Sequence, residues 1–200
     1  MTTMPDNAAS DDRASGASDD HLKEPPPDWA PVEPLPSSEM FLAAFAGFTP
    51  VAAQDILEPA AELVECQRQD RRAVGALRDP EADAEELKSA AAELILARSD
   101  IEMLTMVIDD AIADRLLQRR NRRTFDPLLT SPVDAMPQVV VHTESVGAIA
   151  ARMADLWVSV TAKADLLEEL PHAYQLCELC VAYDSLAAEI EAGRRLPPGL

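Results

Sequence analysis

Two hundred residues with a formal net charge of -19 suit one domain and a tail, and a surface this acidic repels nucleic acid and anionic lipid, which excludes both as partners. Aromatic residues make up only 4% of the chain, and Ala and Leu carry the apolar content, so the composition favours helix over strand. No apolar run reaches the roughly 18 residues of a membrane span, no basic-then-apolar leader opens the chain, and an odd set of cysteines (Cys66, Cys177, Cys180) does not make a secreted disulfide framework. The expectation is a cytoplasmic protein with reduced thiols, no membrane partner and no nucleic-acid partner. Arg prevails over Lys among the basic residues, a bias of GC-rich bacterial genomes.

Residues 1–37 join acidic charge to the Pro-rich stretch EPPPDWAPVEPLP and hold too little apolar surface to offset the entropy of ordering. They are expected to form a disordered tail, which leaves 38–200 as a helical bundle domain. Ser38 is placed to cap a short helix, EMFLAAFA, stopped by Gly47. Thr49-Pro50 is a second start signal, and Pro59 is expected to kink or divide the helix that follows, which ends at Asp79-Pro80. Asp83 opens the longest helical pattern, from Ala84 to about Arg120. Leu87, Ala91, Leu94, Ile101, Leu104, Ile108 and Ile112 recur there at three and four residues, a stripe wide enough to bury against two neighbours. Arg115, Arg119, Arg120, Arg122 and Arg123 close this helix, either as an anion-binding patch or, more simply, as cations complementing the negative end of its dipole.

Pro127, Pro132 and Pro137 interrupt a long connection over 121–142, of which 124–141 could serve as a lid or be disordered. Two helices then finish the chain, one from Ser145 to about Leu170 and one from about His172 to Ala192, ended by Gly193 and by Pro197 and Pro198. The predicted fold is therefore all-α, a bundle of four to six helices with a disordered acidic Pro-rich N-terminal tail.

Few groups carry recognisable chemistry. Cys177 and Cys180 form a C-x-x-C in mid-helix, where core packing is the expected role; redox pairs sit at helix N-termini, and a structural zinc site wants four ligands. Asp100, Asp109, Asp110 and Asp114 lack the Glu-x-x-His partners of helical metal sites and read as a solvated face. Six scattered Gly build no phosphate loop. Neither a metal nor a cofactor is expected. The sharpest feature is HTESVG at 142–147. Thr143 as helix cap and Glu144 in the first turn satisfy the orphan N–H groups and the dipole. Gly147 is left unexplained by capping, since Gly inside a helix costs about 1 kcal/mol relative to Ala. It implies close approach of another backbone or of a ligand. Arg152, one to two turns on, is placed to pair with Asp155 or with a carboxylate of another helix.

The segment TESVGAIAARMADLWV resembles a motif of a bacterial family, domain of unknown function 4254, written roughly S/T-E-T-P-G-x-x-x-D-R-L-S. Thr143, Glu144, Gly147 and Arg152 match it, while Val146 stands in place of its Pro and Ala151 in place of its Asp. Upstream, Cys66, Gln69 and Asp70 align with the family's W-x-x-E-D, so only Asp70 is kept. The resemblance covers about residues 60–192 and implies a small all-helical protein, without a settled activity.

Two functions follow as expectations. The first is a non-catalytic helical interaction or accessory protein of a bacterial pathway, a biosynthetic one being an option, with a protein partner or a homodimer. The second is a small-molecule-binding protein or enzyme whose pocket joins Asp70, Glu144, Gly147 and Arg152 beneath the 124–141 loop. Convergence of these residues in one cavity separates the two readings.

Overall fold

The computed structural model describes residues 32–48, 51–125, 140–162 and 166–198, without the side chains of 123–125 and 166–170. Among the described residues the chain forms α1 (Ser38–Phe45), α2 (Gln54–Leu77), α3 (Ala84–Phe125), β1 (Val140–Val141), α4 (Val146–Ala162), α5 (Leu166–Glu191) and β2 (Arg195–Leu196). The all-α expectation holds, and five helices fall within the four to six predicted. The two short strands pair in parallel, Val140 with Arg195 and Val141 with Leu196, and tie the chain before α4 to the chain after α5. No described helix is long and apolar enough to cross a membrane. The expected tail up to residue 31, the Thr49-Pro50 signal and most of the expected lid, 126–139, lie outside the described residues.

Several boundaries move for local reasons. The cap of α1 is Ser37, whose hydroxyl accepts the Met40 N–H at 3.4 Å, and not Ser38. Ser38 instead spends its own N–H and hydroxyl on the two carboxylate oxygens of Asp184, at 2.8 and 2.6 Å. At the other end of α1, Gly47 takes a left-handed φ of 86° that lets the chain leave the helix. Pro59 does not divide α2, which runs through it from Gln54. As the sixth residue of the helix it forgoes one intrahelical bond, the N–H to the Asp55 carbonyl, which the rest of the 24-residue helix outweighs. Asp83 opens α3 with a full capping box: its carboxylate accepts from Glu85 and Glu86 N–H, while Glu86 reaches back to the Asp83 N–H. α4 stops at Ala162, sooner than Leu170, and α5 begins ahead of Pro171. Pro171, likewise the sixth residue of its helix, forgoes one such bond.

α2 and α3 form an antiparallel hairpin, as the Asp70–Arg98 and Asp55–Arg115 pairs show. Small residues, Ala73, Ala90 and Ala97, are buried on these two helices towards their connection. The large apolar residues gather at the other end, where Phe41, Ile56, Leu63, Ile108, Met153 and Tyr183 bring all five helices into one core. Phe41 meets Tyr183 edge-on, with ring centroids 5.4 Å apart.

Residues 32–37, expected to belong to the tail, lie against this core, with Leu35 and Pro36 buried. An extended strap on helices has no ladder for its backbone groups, so side chains must answer them. Glu191 accepts the Leu35 N–H at 2.6 Å, Arg115 donates to the Pro34 carbonyl at 3.1 Å, Arg119 to the Glu33 carbonyl at 2.6 Å, and the Tyr183 hydroxyl to the Pro36 carbonyl at 2.7 Å. Prolines at 34 and 36 bring no N–H to satisfy and lower the entropy lost on ordering. Composition read this stretch as tail because it weighs the prolines and not their partners.

Burial, with the neighbouring Asp184 and Glu191 charges, pushes the Tyr183 hydroxyl well above the ordinary tyrosine range. A raised folded pKa means the associated stability is fully present below the unfolded value, about 10, and is lost as pH rises beyond it. Absorbance titration of the native protein is expected to leave one of its two tyrosines un-ionised until the fold is lost, and Tyr183→Phe is expected to remove that step. A native titration in which both tyrosines ionise together with α-helix intact contradicts this.

Candidate functional site

The segment leading into α4 folds on itself. Nδ1 of His142 lies 2.7 Å from the Glu144 carbonyl oxygen, and the His142 N–H donates to the Leu196 carbonyl at 2.8 Å. The cap of α4 is Ser145 and not Thr143: the Ser145 hydroxyl accepts the Ala148 N–H at 3.1 Å and its carbonyl the Ile149 N–H. Glu144 thus precedes the cap. Its carboxylate takes both its oxygens to one guanidinium nitrogen of Arg152, at 3.0 and 2.9 Å. Arg152 therefore pairs neither with Asp155 nor across to another helix. The pair is partly exposed, so it adds only about 0–1 kcal/mol to the fold.

Gly147 sits where α4 crosses α3. A Cβ here would fall well inside contact distance of the Thr105 carbonyl oxygen, 3.0 Å from that carbonyl carbon and 3.1 Å from Asp109 Cγ. The Gly147 N–H donates to Asp109 Oδ1 at 2.7 Å. The glycine thus answers to a backbone. Asp109, expected on a solvated face, is half-buried and serves as the acceptor for the start of α4.

Asp70 is engaged elsewhere, accepting from Arg98 of α3 at 3.0 Å. Its neighbour Arg71 makes the α2–α4 joint, donating to Asp155 Oδ1 at 2.6 Å and to the Ser159 hydroxyl, while Arg72 pairs with Glu65 on its own helix. A cleft of about 510 Å³ between α4 and α5 is lined by Arg152, Asp155, Leu156, Gln175, Glu178 and Leu179, with Ala182 at its wall. Of the four candidates only Arg152 borders it. The structure brings Glu144 to Arg152 and Gly147 to Asp109; Asp70 makes its ion pair on α3.

The cysteines also divide. Cys180 packs on the core, whereas Cys177 is exposed and contributes nothing to it; Cys66, half-buried on α2, is a free thiol as they are. Burial raises the pKa of Cys66 and of Cys180 and keeps both as thiols at neutral pH. Among the described residues no three His, Cys, Asp or Glu stand together as metal ligands would.

Arg115 and Arg119 of α3 do different work from either expected role. Arg115 is buried and lies ten residues before the helix end, so the dipole is not its partner. It bonds Asp55 on α2, Glu33 and the Pro34 carbonyl of the strap. Arg119 pairs with Glu191 at the end of α5. A sequence signal for Arg115 existed, since the Leu104, Ile108, Ile112 stripe continued by one helical step falls on it. Nothing local marked Glu33, Asp55 or Glu191 as its company.

The outer side of α3 completes the inventory. Ile95 is 69% exposed, Leu96 64%, Met106 60% and Met103 50%, and Val107 and Leu117 are open too. All lie on the side of the helix away from α2 and α4. No family model, curated protein or solved structure matches the chain.

Proposed function

We propose that the protein is a non-catalytic helical interaction protein, an accessory of a bacterial cytoplasmic pathway, and that it docks through the outer side of α3. The observation that carries this is a row of six large exposed apolar side chains, with Ser99 and Asp110 among them, on a helix whose opposite side is already buried in the core. Large apolar side chains gathered on the solvent side of a helix, opposite its buried stripe, mark an association surface. Two of the six are methionines, whose unbranched, polarisable side chains adapt to a partner.

The small-molecule reading has weaker support. Its polar residues are spent on each other and on the joints between helices, and two carboxylates, Asp155 and Glu178, face the cleft that Arg152 borders. The likeness to domain of unknown function 4254 is part of the proposal: of the residues shared with its motif, Gly147 here joins α4 to α3 and Glu144 pairs with Arg152. Peroxide footprinting tests the function. Met103 and Met106 are expected to oxidise readily in the dilute purified chain and to be protected in the cells that make it. Equal oxidation in both settings would remove the interaction reading.

A further inference from the structure

The outer face of α3 carries a second, independent pattern. Ala92, Leu96, Ser99, Met103, Met106, Asp110, Ala113 and Leu117 follow one another at alternating steps of four and three residues, the 3.5-residue period of a two-helix seam. Seven of these eight are exposed and Ala113 is partly so. The inner stripe through Ala97, Leu104, Ile108 and Ile112 is occupied by the bundle, so this outer stripe needs its own partner.

Reversed end for end, the seam complements itself. About a two-fold axis midway between Met103 and Met106, Ala92 meets Leu117 of the other copy, Leu96 meets Ala113, Ser99 meets Asp110, and Met103 meets Met106. Small faces large at both ends, the adaptable residues meet at the centre, and the one carboxylate in the seam faces a hydroxyl that can donate to it. A parallel pairing fails the same test, because it sets Asp110 against Asp110 and Leu against Leu beside Ala against Ala. Each stripe, with Ile95 and Val107 flanking it, runs about 38 Å along the helix. Two of them would remove roughly 1,300 Å² from water, within the ~1,200–2,000 Å² of stable interfaces.

We infer that the partner of this face is a second copy of the chain, docked antiparallel through α3 into a two-fold dimer. The inference rests on the reading of that face as the interaction surface and names its occupant. Like charges on two acidic copies oppose the encounter, so association strengthens as salt screens them, the reverse of an ion-pair interface.

Sedimentation of the full chain is the test, at several concentrations and two salt levels. A monomer–dimer equilibrium is expected, tighter at high salt, and weakened roughly 100-fold by Met103→Glu with Met106→Glu. Circular dichroism melts on that variant keep loss of fold apart from loss of association, and Leu96→Asn gives a milder second probe. Orientation is read by spin labels on Ser89→Cys with Cys66, Cys177 and Cys180 changed to Ser: about 45 Å between labels for the antiparallel dimer, against about 10 Å for a parallel one. A short distance overturns the proposal, as does a dimer indifferent to the seam variants. A monomer at all concentrations overturns it as well, and footprinting of that monomer then separates two cases. Reactive Met103 and Met106 leave the interaction reading standing with a different partner. Protected ones mean that the chain covers its own face, and both readings fall.

Discussion

Gly147→Ala is expected to destabilise the protein by about 2–4 kcal/mol, a fall in Tm of roughly 5–15 °C for a chain of this size. The added methyl has no room, since it would collide with the Thr105 carbonyl on the α3 backbone and crowd Asp109 Cγ. A backbone group in a helix cannot swing aside as a side-chain tip can, so α4 must lift away from α3. Lifting breaks the Gly147 N–H bond to Asp109 and loosens the packing of Val146, Ile149 and Ala150, which are buried at the same crossing. A bond to a charged acceptor contributes about 1.5–3 kcal/mol, more than the ~0.5–1 kcal/mol that Ala returns as a better helix former. Gly75→Ala is the internal control. Gly75 is exposed in the last turn of α2 with nothing near its absent Cβ, so there only the propensity gain applies, reduced by its place near the helix end, and Tm should hold or rise. If differential scanning calorimetry finds the two variants alike, the close-approach explanation of Gly147 is wrong. A ligand cradle would then regain the position that the structure gives to Thr105.

Arg115→Met is expected to cost about 2–3 kcal/mol and, more specifically, to release the strap. Met approximates the volume of the buried stem but leaves Glu33 and Asp55 facing each other without a cation, and leaves the Pro34 carbonyl without its donor. Both carboxylates are half exposed and can be rehydrated, which keeps the cost below the ~3–5 kcal/mol of a fully buried broken pair. Arg115→Lys should recover little, because one ammonium cannot span three acceptors that a planar guanidinium fork reaches. Hydrogen exchange makes the distinction. The Leu35 amide, held by Glu191, and the Ala53 amide, held by Glu33, should exchange much faster in Arg115→Met while the α3–α4 amides change only with global stability. Uniform acceleration across the chain would mean that Arg115 supports the bundle alone, and that the strap is held by Tyr183 and Glu191.

The same two residues show how far the sequence could be read. Gly147 was conspicuous because a glycine in a helical run is unfavourable by itself, so its cost announced a neighbour; what that neighbour was could not be read from 142–157. Arg115 was conspicuous only as one of five cations, and an average over the cluster hid that its position continued the apolar stripe. The caps are Ser37 and Ser145 and not the expected Ser38 and Thr143, one residue away or two, since neighbouring Ser and Thr have near-equal capping value and tertiary partners decide among them. The Glu144–Arg152 pair spans eight residues, about two helical turns, and was within reach of a periodicity argument, yet Asp155 stood nearer in sequence.

What the sequence determined by itself is the class of structure and its outline: helices, their approximate number, the capping box at Asp83, and a long helix with apolar residues on more sides than one neighbour can use. These follow from local propensity, capping chemistry and periodicity, which act within a few residues and are written in order along the chain. The tertiary structure alone decided which polar groups meet. Glu33, Asp55, Arg115, Arg119 and Glu191 come from four separate stretches and share no spacing, and Asp109 becomes an acceptor only because α4 crosses there. It also decided which of the two apolar faces of α3 is left for a partner. Both faces satisfy the same helical period, and burial against α2 and α4 is what leaves Ile95, Leu96, Met103 and Met106 in solvent.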